Sequence, residues 1–142
     1  FFCQFICCIF KTKEMSMRKL FVTAAILISI SGCAQKIDPQ IAAQAQQPVY
    51  CQGKEQCDTY WSRAKAWIAM NSGWKIQMAD ETVISTYTPI GNSAVLGYQV
   101  VKTPLGNDKN EIVVQTSCAN MFGCIPSAVE QTAKLKNYIK AQ

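Results

Sequence analysis

Four cysteines, Cys51, Cys57, Cys118 and Cys124, constrain this chain more than any other feature. They form two pairs, each with five residues between its members, and each pair stands just before or at the start of an expected helix. Structural zinc ligands usually come at two-to-four-residue spacing, so a four-cysteine zinc site is off pattern. Thiol redox enzymes more often carry Cys-x-x-Cys, which is absent. In an oxidising compartment an even set of this kind reads as two disulfides. Four cysteines allow three pairings, and sequence cannot choose between them. Short separation favours Cys51–Cys57 with Cys118–Cys124, whereas the crossed pairing would tie the two ends of the domain together and stabilise more.

The compartment follows from the N-terminal third. Residues 15–19 read Met-Ser-Met-Arg-Lys, residues 20–30 carry no charge, and Ser31-Gly32-Cys33 follow. A basic start, an eleven-residue apolar run and small residues at its end describe an export signal. The run is shorter than the roughly 20 residues needed to span a bilayer. Ile30-Ser31-Gly32-Cys33 resembles the lipobox of bacterial lipoproteins. The resemblance implies cleavage before Cys33, lipid on its thiol and acylation of the new N-terminus, hence a membrane partner through lipid. With Ala34 next, the enteric sorting pattern implies the periplasmic face of the outer membrane in a Gram-negative source. Residues 1–14 fit none of this. They read as translated sequence upstream of a start at Met15 or Met17, with a separate hydrophobic segment as the rival.

Residues 33–49 hold five glutamines and four alanines, with no aromatic before Tyr50. They read as a flexible tether with an r.m.s. reach of roughly 20–25 Å, although alanine and glutamine also suit a short helix. Residues 50–142 are the expected globular domain. Its first element is a helix over about 55–70, where Cys57, Tyr60, Trp61, Ala64, Trp67 and Ile68 recur at helical spacing. Asn71-Ser72-Gly73 stops it, with Gly73 suited to a left-handed cap. Four strands follow, over about 74–78, 82–88, 94–103 and 111–118. Between the last two, Pro104 to Asn110 is a string of turn formers that signals a hairpin. A helix over about 127–140 closes the chain, with Ser127 and Glu130 at capping-box spacing and Lys134, Lys136 and Lys140 late, where cations suit the dipole. The expected fold is α+β, with two helices on one face of a four-stranded antiparallel sheet.

Composition narrows function mainly by exclusion. The 142 residues contain no histidine, which removes Ser-His-Asp and Cys-His arrangements and histidine metal sites. The formal charge of +5 falls to +2 from Cys33 onward (ten Lys/Arg less eight Asp/Glu), too little and too scattered for nucleic acid. No phosphate loop or carboxylate cluster calls for a cofactor. Asp80 and Glu81 are adjacent and read as a solvated turn. Of the two helical tryptophans, six residues apart, one is expected in the core and one partly exposed; an exposed Trp67 would anchor a partner. Met121 and Phe122, inside the second cysteine pair, either dock a partner or fold back on the core, and the rarity of exposed apolar patches favours the core. The reading is a non-enzymatic envelope lipoprotein that presents a disulfide-braced domain to another envelope protein or to cell-wall material. A thiol-dependent enzyme and a small-ligand carrier, with Trp67, Tyr87 or Tyr98 lining a pocket, are the alternatives.

Overall fold

The structure, a computed structural model, describes residues 36–141. The expectations for the start site, the export signal and lipid on Cys33 fall outside the described residues. The domain is α+β and runs as α1 (Pro39–Gln46), β1 (Val49–Gln52), α2 (Gly53–Asn71), β2 (Ile76–Ala79), β3 (Val83–Thr86), β4 (Gly97–Gly106), β5 (Lys109–Ser117) and α3 (Ala128–Lys140). The sheet is antiparallel and ordered β1-β5-β4-β3-β2. It has five strands where four were expected. The added strand, β1, is a four-residue segment on the edge that alternates buried and exposed and pairs with the start of β5.

Residues 33–49 were expected to be a tether, but from Pro39 they are folded. Asp38 caps α1 by accepting the Gln40 N–H at 2.7 Å, and Pro39 sits at its first position, where a missing N–H costs nothing. The helix packs along α3. Lys136, expected late in α3 as a cation suited to the helix dipole, is buried to 8% exposure. Its ammonium donates to Ala45 O at 2.6 Å and Gln47 O at 2.9 Å, satisfying carbonyls that the end of α1 leaves free. Ala45 lies against Lys136, while Ile37 shares a cleft with Ala128 and Val129. The two helices therefore run parallel, and both begin at the end of the sheet where β5 finishes.

One face of the sheet carries the core. Val49, Cys51, Ile84, Leu96, Tyr98, Val100, Ile112 and Val114 are buried against Trp61, Ala64, Trp67 and Ile68 of α2 and Leu135 and Ile139 of α3. Period-two alternation on β4 and β5 puts these residues on a single side. The β4–β5 turn has Asn107 at φ 51° and Asp108 at φ 57°, the paired left-handed conformation that matches strand twist. β4 continues through Pro104 by way of a register irregularity between Pro104 and Gly106, so the hairpin is longer and tighter than the turn formers suggest.

Two caps differ from expectation. Gly73 is not left-handed; a Cβ there would lie 2.6 Å from Val95 Cγ1, so glycine serves close packing. Ser127 makes no side-chain cap bond, and Glu130 pairs with Lys134 at 2.7 Å instead.

Candidate functional site

The helices cover one face of the sheet and leave the other open. Strand register arranges the open face in rows. Ser85 is opposite Gln99, and Gln99 opposite Gln115, giving a polar row across three strands. Val83, Val101 and Val113 form the next row, and Thr103, Glu111 and Tyr50 the one after. Neighbouring strands are about 4.8 Å apart, so the amides of Gln99 and Gln115 stand side by side.

Around the glutamine row, at the end of the sheet where β5 finishes, the strands make a groove of about 330 Å³, lined by Gln77, Ser85, Tyr87, Gln99, Gln115 and Ser117 among others. Every side chain lining it is neutral. Each glutamine offers two donors and an acceptor, and each hydroxyl offers both. The volume lies at the lower end of the range for small-ligand sites. Tyr87 is about half exposed and adds an aromatic face. Such a set can hold a neutral polar ligand through hydrogen bonds. Of the aromatics considered for a pocket, Tyr87 and Tyr98 border the groove and Trp67 does not. Tyr98 has its ring in the core, where burial raises its pKa above 10.0.

Trp67 is corrected as an interaction residue. It is 6% exposed and packs edge-on to Tyr98, with centroids 5.4 Å apart. Trp61 is also buried and donates its indole N–H to Asp80 O at 2.9 Å. α2 packs against both the sheet and α3, so its buried arc is wide enough for both tryptophans.

Met121 and Phe122 do not fold back; they are 81% and 89% exposed, and Ile125 is 74% exposed. Met121 and Phe122 sit within the loop closed by the Cys118–Cys124 disulfide, and Ile125 directly follows it. The loop is held against its neighbour by Ala119 N–H to Ser93 O at 3.0 Å and Ile125 N–H to Ala94 O at 2.9 Å. Asn92 adds a contact from each end of its residue: its carbonyl accepts from the Asn120 side chain, and its side-chain oxygen accepts from Met121 N–H. The apolar side chains therefore project from a braced platform.

The second disulfide joins Cys51 to Cys57 at the opposite end of the sheet, so both favoured pairings are present. Among the described residues no group of three or more His, Cys, Asp or Glu could hold a metal ion, and no helix is long and apolar enough to cross a membrane. Asp80 is the solvated turn expected. Its carboxylate accepts from Thr82 N–H, Val83 N–H and the Thr82 hydroxyl, and these bonds, the Thr82 N–H foremost, hold its pKa below 3.8. Comparison with known protein families, with curated protein sequences and with solved structures gives no match to this chain.

Proposed function

We propose that this chain is a bacterial cell-envelope lipoprotein, anchored through Cys33, whose domain is a binding module and not an enzyme. In a Gram-negative cell it faces the periplasm from the outer membrane. The observation that carries the binding reading is the neutral groove on the open sheet face. Its registered glutamines and hydroxyls suit a ligand rich in hydroxyl or amide groups, such as a cell-wall glycan strand or an extended protein segment. The two disulfides support an oxidising compartment, and they leave Cys51, Cys57, Cys118 and Cys124 without a free thiolate.

Co-sedimentation with purified cell-wall sacculi, alongside in-cell cross-linking from Gln99, tests the reading. The full protein is expected to bind one of the two targets. Gln99→Glu with Gln115→Glu is expected to weaken that binding by at least about tenfold, or ~1.4 kcal/mol, because carboxylates replace amide donors. Both positions are exposed, so the fold tolerates the change. Capture of neither target, or capture indifferent to both substitutions, overturns the proposal.

The small-ligand reading rests on the same groove. It would be favoured if a soluble saccharide or peptide competed fully with the insoluble wall.

A further inference from the structure

We propose that the loop carrying Met121, Phe122 and Ile125 rests in the lipid surface that holds the anchor, fixing how the domain stands on the membrane. The inference depends on the anchor reading for Cys33. Three observations lead to it. First, these side chains are the most exposed large apolar groups of the described residues, and Ile90, 69% exposed, is on the adjoining loop. They are presented by a loop that a disulfide and backbone hydrogen bonds hold outward, so their exposure is built into the fold.

Second, the flanking sequence is uncharged: residues 82–101 and 112–129 contain no Asp, Glu, Lys or Arg. The far end of the sheet differs, with Lys54, Asp58, Asp108 and Lys109 around the β4–β5 turn and the start of α2. A surface that enters the headgroup region gains from apolar side chains and loses by burying charges.

Third, the chain reaches the domain at the end of the sheet that carries this loop. α1 runs parallel to α3, so Ile37 lies by Ala128 and Val129, where the Thr116 hydroxyl donates to Ala128 O at 3.1 Å and β5 leads into Cys118. Cys33 is four residue steps before Ile37, at most about 14 Å of chain. Acyl chains on Cys33 therefore keep the leaflet within a short distance of this end, and the first surface the loop meets is lipid.

The test uses the full chain processed in a bacterial host and reconstituted in phosphatidylethanolamine–phosphatidylglycerol vesicles containing brominated lipid. Phe122→Trp places a reporter on the loop, and Leu105→Trp places one at the far end of β4. The unsubstituted protein supplies the background of Trp61, Trp67 and Trp74. Bromolipid is expected to quench and blue-shift the indole at 122 and to leave the one at 105 unchanged. Equal quenching at both positions, or none at 122, overturns the proposal. The mass of the N-terminal peptide reports acylation separately. An unacylated Cys33 with quenching kept at 122 removes the anchor reading but supports the lipid contact, whereas an unacylated Cys33 without quenching removes both.

Discussion

Lys136 shows how one side chain joins two helices distant in sequence. Burial lowers its pKa from 10.5, and the positive charge of Lys140 lowers it further, against a smaller opposing pull from Glu111. The ammonium stays because two carbonyls at the end of α1 receive it. Lys136→Met keeps the length of the chain and removes both bonds. We expect it to cost about 1–3 kcal/mol in urea unfolding, with faster amide exchange over residues 42–47. Asp80 contributes to acid sensitivity in a different way. Its folded-state pKa is below its ordinary 3.8, so it stabilises the fold above that pH, and the contribution is lost as pH falls through the lower folded value. The stability difference between wild type and Asp80→Ala should therefore be full at pH 7 and shrink below about pH 4, which acid titrations of both proteins will show. The two residues were not equally legible in advance. Lys136 read as a dipole-facing cation because its partners are some ninety residues away, whereas Asp80 was legible as a turn because its partners are two and three residues on.

The two disulfides have the same spacing but different surroundings. Cys51 and Cys57 are 1% and 4% exposed, within the core, whereas Cys118 and Cys124 are only partly buried. Loop closure alone is worth about 2 kcal/mol for either. Replacing Cys51 and Cys57 together by serine also puts hydroxyls among apolar side chains. That pair should therefore lower the urea midpoint more than the Cys118/Cys124 serine pair, which should leave the domain folded with its loop loosened. At this scale the sequence was most readable where periodicity was long. α2, α3, β4 and β5 were expected within a few residues of where they form. β1 was missed because four residues between a proline and a helix carry too little alternation, and its pairing with β5 is settled by distant contacts. Gly73 misled for a related reason: its sequence context suits a left-handed cap, but Val95, on a later loop, decides the matter.

For the molecule as a whole, α1 is an accessory that closes one side of α3. It has no fully buried residue. Deleting residues 36–47 should leave the five-stranded sheet and the other two helices intact, with retained circular dichroism for those elements and about 1–3 kcal/mol less stability. The groove was visible in the sequence only as the polar half of alternating strands. Which polar residues share a row depends on register, and register needs all the strands in place. The fold is also guarded at its two free margins. Pro48 directly precedes β1, and β2 carries an irregularity between Ile76 and Met78, so each outermost strand offers only four residues for pairing. Crowding many copies onto a two-dimensional surface multiplies their chances of joining strand to strand into fibres. Margins this brief, one with proline at its threshold and the other kinked, let such a population remain separate.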